Sequence, residues 1–248
     1  MSNIHETAVV SALSNVHPTV KIGAYSVINE HVKIGEDSII ESFCEIGIKN
    51  SLNKSDQLTI GPRSLIRSHS VIYSGSVFER NLETGHHVTL RENIKAGVNL
   101  RVGSYSDLQG DLFIGDYTRI HSNVHISKHS SIGNFVFIFP FCVFTNDPIP
   151  PSELVRACTV SDYAVIASSA TLLPGVNIGQ HAFVGAGSTV TTDVNEYSLV
   201  VGTPAKKIKD VREIKIPGEP EVPAYPWKSR FNRGFTDEAI KILLQTEV

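Results

Sequence analysis

Two adjacent histidines, His86 and His87, are the residues of this chain best suited to proton transfer. A neutral imidazole accepts a proton from a hydroxyl or an amine near pH 7, because its unperturbed pKa is about 6.5. Glu83 precedes the pair by three residues and is a candidate for orienting one ring. We therefore predict a catalytic group formed by these three residues, with exposed turn histidines as the alternative interpretation.

Other carboxylates and imidazoles recur at an interval of 18 residues. Asp107 and His125 are 18 apart, and Asp111, His129 and Asp147 form a series with the same interval. A carboxylate beside a histidine fixes its tautomer and raises its basicity. The same patterns also occur as solvated surface pairs that contribute little to stability.

The element that spaces these residues is a six-residue repeat. Residues 60–149 divide into fifteen hexads, and further hexads cover residues 4–51 and 160–195, with phase shifts at 52–59 and 150–159. A period of six does not hold one face of an α-helix, but it suits short strands joined by tight turns. We predict an all-β parallel β-helix in which three hexads make one coil of 18 residues. Positions 1 and 5 are expected to face inward, and the glycine common at position 2 to supply the turn geometry.

The repeats predict one domain over residues 1–210 with an inserted loop at 150–159, followed by an extension over 211–248. The extension is rich in proline and carries the only tryptophan, Trp227. Its last segment reads as a short helix, with Thr236 as N-cap and acidic residues in the first turn. We expect the extension to cap the solenoid or to clasp a trimer.

Charge and composition exclude several classes of partner. The net charge of −3 gives no strong attraction to nucleic acid, and no apolar run is long enough to span a bilayer. The N-terminus lacks the pattern of a signal peptide. Three cysteines are an odd number, and Cys44 and Cys142 fall at position 5, which predicts buried free thiols. We interpret the chain as cytoplasmic.

The repeats, together with LLPGVNIG, VGAGSTVTTDV and VVGTPAKKIK, resemble the bacterial hexapeptide-repeat acyltransferases over essentially all of residues 4–210. The resemblance implies a left-handed coil and a homotrimer with active sites between subunits. It also implies acetyl-CoA as cosubstrate, with no metal. The runs TGHHVTLREN and FTND look most like the sugar-nucleotide N-acetyltransferases of surface-polysaccharide synthesis, which implies a nucleotide-linked amino sugar as acceptor.

The resemblance assigns roles to single residues. Relatives carry a catalytic histidine at position 3 of a hexad, which is the position of His86, and an acidic residue next, which is His87 here. Independently of the resemblance, Asn146 and Asp147 stand where the chain leaves the repeats, which makes them candidates for binding the acceptor amine, with a turn cap before Pro148 as the alternative for Asp147. His121 shares a face with His86 two coils away. The further substrate-binding candidates are His125, His129 and Asp111.

The resemblance also places acetyl-CoA along the coils, with its thioester at His86. A pantetheine arm of about 18 Å covers about four coils at ~4.8 Å each, which extends from His86 to the repeats after residue 158. Small residues there would allow the cofactor to approach the backbone closely. Two lysines would bind the phosphates of CoA, with simple solvation of their side chains as the alternative. The predicted cofactor-binding residues are Ala167, Ser168, Gly185, Ala186, Lys206 and Lys207.

Several functions remain open at this point. The leading one is acetyl-CoA-dependent N-acetylation of a nucleotide-linked amino sugar. O-acetylation of a sugar or of serine needs the same base. A γ-type carbonic anhydrase would place three histidines on zinc at a subunit interface, but three histidines at matching positions are not found. A catalytically silent scaffold is the last alternative.

Overall fold

The computed structural model of the protein describes residues 3–245. Short strands, mostly of two residues, alternate among three parallel sheets that form the sides of a solenoid. Strand partners within uninterrupted repeats are 18 residues apart, as Val77 and Lys95 are. The predicted all-β solenoid with 18-residue coils is therefore confirmed, and its coils are left-handed.

The strands follow one another in a fixed order, from the first sheet to the second, then to the third and back to the first. The first sheet contains β1 (Val9–Val10), β4 (Val27–Ile28), β7 (Glu45–Ile48), β10 (Val71–Tyr73), β13 (Thr89–Leu90), β16 (Asp107–Leu108), β19 (His125–Ile126), β22 (Val143–Phe144), β25 (Thr171–Leu172) and β28 (Thr189–Val190). The second sheet contains β2 (Asn15–Val16), β5 (Val32–Ile34), β8 (Leu58–Ile60), β11 (Val77–Phe78), β14 (Lys95–Ala96), β17 (Phe113–Ile114), β20 (Ser131–Ile132), β23 (Thr159–Val160) and β26 (Asn177–Ile178).

The third sheet also includes the hairpin that ends the solenoid. It contains β3 (Lys21–Ile22), β6 (Ile39–Ile40), β9 (Leu65–Ile66), β12 (Glu83–Thr84), β15 (Arg101–Val102), β18 (Arg119–Ile120), β21 (Phe137–Ile138), β24 (Val165–Ile166), β27 (Phe183–Val184), β29 (Ser198–Gly202) and β30 (Ala205–Asp210). Among the described strands of this sheet, only β30 runs antiparallel to its neighbour, β29. The extension then forms a 3₁₀ turn (Val211–Glu213), the hairpin of β31 (Lys215–Ile216) and β32 (Glu219–Pro223), a second 3₁₀ turn (Trp227–Ser229) and α1 (Asp237–Gln245).

The main core is a column of side chains inside the solenoid, and a smaller cluster forms where the extension packs on the third sheet. Position 1 residues such as Ile60, Ile66 and Ile72 are fully buried, and so are position 5 residues such as Leu82 and Val88. Full burial of one aliphatic side chain stabilises the fold by about 1.5–3 kcal/mol. The prediction that these two positions face inward is confirmed.

Position 4, rather than the glycines of position 2, supplies the turn conformation. All the non-glycine residues with positive φ except Tyr197 stand at position 4. The glycines of position 2 instead allow neighbouring coils to touch. A Cβ on Gly85 would lie 2.3 Å from the Ser104 nitrogen, and one on Gly103 would lie 2.4 Å from the Ser122 nitrogen. The predicted turn role of these glycines was therefore wrong.

Two insertions interrupt the coils, and both leave the solenoid at the corner between the first and second sheets. Residues 49–57 separate β7 from β8, and residues 145–158 separate β22 from β23. Pairing resumes beyond each insertion, with Val32 opposite Leu58. The phase shifts predicted at 52–59 and 150–159 locate both loops, although each loop begins a few residues earlier.

The extension folds back over the third sheet of its own chain. The Trp227 Nε1–H donates to the Tyr163 carbonyl at 2.9 Å, and Ala239 and Leu243 of α1 are fully buried. The Thr236 hydroxyl accepts from the Ala239 N–H at 3.2 Å, which confirms the predicted N-cap. Within residues 3–245, no helix is long and apolar enough to cross a membrane.

Candidate functional site

His86 lies at the corner between the third and first sheets, in the turn that joins β12 to β13. Its Nδ1 is 2.8 Å from the Ser68 hydroxyl and 3.9 Å from Glu41 Oε2. Ser68 is 18 residues before His86, so the repeat itself stacks the two side chains. The Ser68 N–H donates to the same Glu41 carboxylate at 3.1 Å, which fixes all three groups relative to one another.

The Glu41 carboxylate favours one of the two neutral tautomers of the His86 ring. A negative charge on the Nδ1 side of the ring favours the tautomer in which Nδ1–H donates to Ser68 Oγ. That tautomer leaves the Nε2 lone pair unused. His86, which is about half exposed, can therefore accept a proton from a bound acceptor at Nε2.

Glu83 does not contact His86. Its carboxylate lies 3.5 Å from Arg67 Nη2 and 3.3 Å from Arg101 Nε. The acid near His86 is Glu41, which sequence reasoning missed because the insertion at 49–57 interrupts the spacing and because Glu41 aligns with Arg67, one position before Ser68 and His86. The catalytic role predicted for Glu83 remains a prediction, with its carboxylate placed between two arginines.

His87 lies in a stack of aromatic rings rather than beside Ser68 and Glu41. It has φ 55°, and its ring stacks between His69 at 4.6 Å and Tyr105 at 5.0 Å. Tyr25 and Phe43 continue the same stack along the corner. The two adjacent histidines therefore belong to different clusters, and a catalytic role for His87 remains a prediction.

A groove of about 620 Å³ runs beside His86 along the third sheet. Its floor includes Gly85 and Gly103. One wall comes from the extension. We call it the arginine groove, lined by Arg67, Glu83, Thr84, Gly85, Arg101, Val102, Gly103, Ser104, Arg119, Ile120, His121, Ser122, Phe137, Phe139, Phe231, Arg233 and Gly234.

The arginine groove owes its charge to the repeat. Glu83, Arg101 and Arg119 stand at the same position of three successive coils and pair in register. The Arg119 guanidinium lies 3.9 Å from the centre of the Phe235 ring and donates to the Arg233 carbonyl at 2.9 Å. Burial, followed by the charge of Arg101, lowers the pKa of Arg119 to about 10. The 18-residue spacing of these residues was a signal that sequence reasoning missed.

His121 lines the same groove. Its ring stacks on Phe139 with 4.7 Å between centroids. Burial, followed by the charge of Arg119, lowers the pKa of His121 below its usual value. His121 shares a corner with His86 two coils away, about 10 Å along the solenoid.

Asp107 and His125 are neighbours on the first sheet, as the spacing predicted. They pair in register, and His125 Nδ1 lies 3.1 Å from Asp107 Oδ2. Both side chains are more than a third exposed. Their strands lie on a different side of the solenoid from the arginine groove, so the structure does not bring this pair to His86 within one chain.

The predicted series of Asp111, His129 and Asp147 is not formed. Asp111 and His129 stand at the corner between the first and second sheets, one full side of the solenoid away from His86. The Asp111 carboxylate pairs with Lys54 and Lys128 rather than with His129. Although burial alone would raise it, the pKa of Asp111 is lowered by these two lysines.

Asp147 and Asn146 brace the loop at 145–158. The Asp147 carboxylate accepts from the Ile149 N–H at 3.0 Å and from the Ser152 N–H at 2.7 Å. The Asn146 carbonyl accepts from the Arg156 N–H at 2.8 Å. This loop leaves at the same corner as Asp111, so a role for the two residues in acceptor binding at His86 remains a prediction.

The predicted cofactor residues divide between two places. Ala167, Ser168 and Ala186 line a second groove of about 360 Å³, which is mostly aromatic and adjoins the arginine groove at Phe137, Phe139 and Phe231. Gly185 is buried beneath Val201. Lys206 and Lys207 are exposed on β30, at the end of the third sheet. Across residues 3–245, no group of three or more His, Cys, Asp or Glu side chains is placed to hold a metal ion.

Residues 3–47 match the model of the family described as bacterial transferase hexapeptide (six repeats). This part of the chain is therefore similar to the hexapeptide-repeat family. The predicted resemblance to hexapeptide-repeat acyltransferases is confirmed. Solved structures with the same fold include the UDP-N-acetylglucosamine acyltransferase of Arabidopsis, with a TM-score of 0.71 and 20% identity over 84% of this chain and 74% of that one. The UDP-N-acetylglucosamine acyltransferase of Francisella novicida has a TM-score of 0.54 and is 18% identical, over 96% of this chain and 76% of that one.

Curated proteins similar to this chain are also named as UDP-N-acetylglucosamine acyltransferases. The acyl-[acyl-carrier-protein]–UDP-N-acetylglucosamine O-acyltransferase of Pseudomonas putida is 28% identical over 162 residues, which are 65% of this chain and 51% of the relative. The enzyme of the same name from Pseudomonas aeruginosa is 29% identical over the same shares. The chain thus spans about half the length of the curated relatives it matches.

Proposed function

We propose that this protein is an acyltransferase that moves an acyl group from a thioester to a nucleotide-linked sugar. The observation that carries the proposal is the contact of His86 with Ser68 and Glu41 at the edge of the arginine groove. It provides a base with a free Nε2 beside a cationic surface suited to a phosphorylated acceptor. The names of the sequence relatives support the same class of reaction.

The reaction follows from the free nitrogen of His86. The acceptor oxygen or nitrogen attacks the thioester carbonyl while Nε2 takes its proton, and a tetrahedral intermediate forms. The intermediate expels the thiolate, which takes the proton back from Nε2. Glu41, at 3.9 Å from Nδ1, stabilises the imidazolium between the two steps. Base catalysis of this kind contributes about 10²–10⁴-fold.

Two versions of this reaction differ in donor and acceptor. In the first, acetyl-CoA acetylates the amine of a nucleotide-linked amino sugar. In the second, an acyl-carrier protein delivers a longer acyl chain to a sugar hydroxyl, which the names of the relatives favour.

A homotrimer with sites between subunits is part of the proposal. Asn146 and Asp147 stand at a different corner from His86 of the same chain. A second chain that presents its first-to-second corner would supply these side chains to the site. Sedimentation of the purified protein measures the oligomeric state.

The test is a matrix of donors against acceptors. Acetyl-CoA, longer acyl-CoA thioesters and acyl-carrier protein are each incubated with UDP-N-acetylglucosamine and with a UDP-linked amino sugar, and the products are identified by mass spectrometry. We expect acylated sugar from at least one pair and a loss of about 10²–10⁴-fold in kcat for His86→Ala. The control is His17→Ala, an exposed histidine that contacts Thr19 in an early coil. Acylation of no nucleotide sugar by any donor would refute the proposal.

A further inference from the structure

Two arginines of the groove lie side by side beneath the extension. A Cβ added to Gly234 would be 3.2 Å from Arg119 Nη2 and 3.3 Å from Arg101 Nη1. Both guanidinium groups therefore approach the same point. Like charges at this separation repel unless an anion lies between them or beside them.

The protein's own acids do not balance this charge. The groove is lined by Arg67, Arg101, Arg119 and Arg233 against Glu83, which is four positive charges against one negative and leaves three. If Glu41 is added, because it pairs with Arg67 at 3.5 Å, two positive charges still remain.

One donor of the pair is also buried without a partner. The Arg119 Nη2 is shielded from solvent and makes no hydrogen bond among the described residues. The other terminal nitrogen, Nη1, donates to the Arg233 carbonyl. A buried donor without an acceptor costs about 1–3 kcal/mol, more when it is charged, so an anion that reaches this nitrogen would remove that cost.

The surroundings indicate what kind of anion fits. Guanidinium groups bind phosphate oxygens in pairs, and Arg101 and Arg119 offer two such groups one coil apart. Next to them, Phe137 and Phe231 are shared with the aromatic groove, whose ring faces suit a nucleobase. In the other direction, the floor of Gly85 and Gly103 leads to the corner that carries His86.

We propose that the arginine groove binds the diphosphate of a nucleoside diphosphate, with the base against the aromatic groove. The row from Phe139 to Gly85 spans three coils, about 14 Å at ~4.8 Å each, so a group attached beyond the diphosphate reaches the corner of His86. Two ligands share this chemistry, a nucleotide-linked sugar and coenzyme A. The role of the site in acyl transfer rests on the proposed function, whereas the binding itself is measured without turnover.

The experiment is calorimetric titration of the full chain with UDP, UMP, ADP, UDP-N-acetylglucosamine and coenzyme A. We expect a diphosphate to bind at least about tenfold more tightly than the monophosphate, because charge-assisted contacts are the stronger ones. Arg101→Gln should weaken that binding by about 10–100-fold, the equivalent of losing one charged hydrogen bond or two. The matched control is Arg63→Gln, an exposed arginine that contacts Asn81 outside the groove.

The titrations with different ligands show whether the diphosphate belongs to the nucleotide-linked sugar or to coenzyme A. Tighter binding of the UDP ligands assigns the groove to the acceptor, and tighter binding of ADP and coenzyme A assigns it to the donor. Arg101→Gln is the decisive variant because Arg119 also holds the extension through Phe235. Equal affinity for UDP and UMP, or unchanged affinity in Arg101→Gln, would overturn the site.

The outcome is independent of whether the acyl transfer proposal holds. His86→Ala should retain diphosphate affinity while losing turnover, since His86 does not line the groove. Acyl transfer with unchanged kinetics in Arg101→Gln would leave the proposed function intact and refute the site alone.

Discussion

Ser68 and His86 are 18 residues apart in sequence, and their side chains meet at 2.8 Å, one coil above the other. The repeat therefore builds the contact that orients the candidate base, and it does so without any long-range loop. Glu41 reaches the same place from one coil further and across the insertion at 49–57.

This contact predicts a positioning role for Glu41. Glu41→Gln should lower kcat by about tenfold with little change in KM, because the ring loses the charge that favours its Nδ1–H tautomer, as expected for the orienting partner of a general base. Steady-state kinetics on the acyl transfer measure both constants. Glu41→Asp should restore part of kcat, and exposed Glu36→Gln is the control. An unchanged kcat in Glu41→Gln would remove Glu41 from the site.

Stability should fall in weakly acidic solution because of His181. This ring is 5% exposed and stacks between Tyr163 and Tyr197. Burial, followed by the charge of Lys228, lowers the pKa of His181 to about 4. The unfolded chain, with a pKa near 6.5, binds the proton first, so stability is lost as pH falls from about 6.5 to 4, by roughly 3 kcal/mol in total.

Chemical denaturation at a series of pH values measures this loss. His181→Phe keeps the stacked ring and removes the titration, so its stability should vary less between pH 7 and pH 4 than that of the parent chain. The exposed His17→Phe serves as control. Parallel pH profiles for the parent and His181→Phe would contradict the assignment.

The extension should detach when its anchor is removed. Trp227 is 8% exposed, contacts Phe137 edge-on at 4.8 Å and donates to the Tyr163 carbonyl. Trp227→Ala should cost about 3–5 kcal/mol of local stability, the usual cost of truncating a buried aromatic ring. Limited proteolysis should then cleave within residues 211–235 while the solenoid resists.

The same prediction can be tested in the unmutated protein by tryptophan fluorescence. Trp227 is the only tryptophan, so its fluorescence reports the extension alone. Its emission should change in dilute denaturant before the circular dichroism of the strands does. A single coincident transition would show that extension and solenoid unfold together.

The buried cysteines should be unreactive in the native protein. Burial raises the pKa of Cys44 and of Cys142 to about 11, so little thiolate exists at neutral pH. A thiol reagent should therefore modify all three cysteines at the rate of unfolding, with denaturant as the positive control. Rapid modification of the native chain would show that the solenoid opens locally.

Much of the fold was predictable because a strict repeat converts sequence spacing into spatial contact. The interior positions, the coil of 18 residues, the pairing of Asp107 with His125 and the N-cap at Thr236 all follow from local rules. Two features did not follow. Glu41 reaches His86 across an insertion that breaks the spacing, and position 4 adopts the left-handed conformation with residues other than glycine.

The sequence also contains the information that assigns each candidate residue to a corner of the solenoid. Each hexad turns one corner between two sheets, so the hexad number alone places His86 and Asp147 at different corners. His86 is in the fifth hexad and Asp147 in the fifteenth hexad of the uninterrupted run 60–149, and three hexads make one coil, so the two hexads turn different corners. The arginine groove was harder to foresee, because the residues from Phe231 to Gly234 reach it only by the return of the extension.

The hairpin of β29 and β30 has a consequence for solubility. A column of parallel strands ends in unpaired backbone groups, to which another column could add and so begin a fibre. β30 turns back antiparallel to β29 and carries exposed Lys206, Lys207 and Lys209 along its edge. These lysines therefore discourage end-to-end growth on this sheet, whether or not they also contact a cosubstrate.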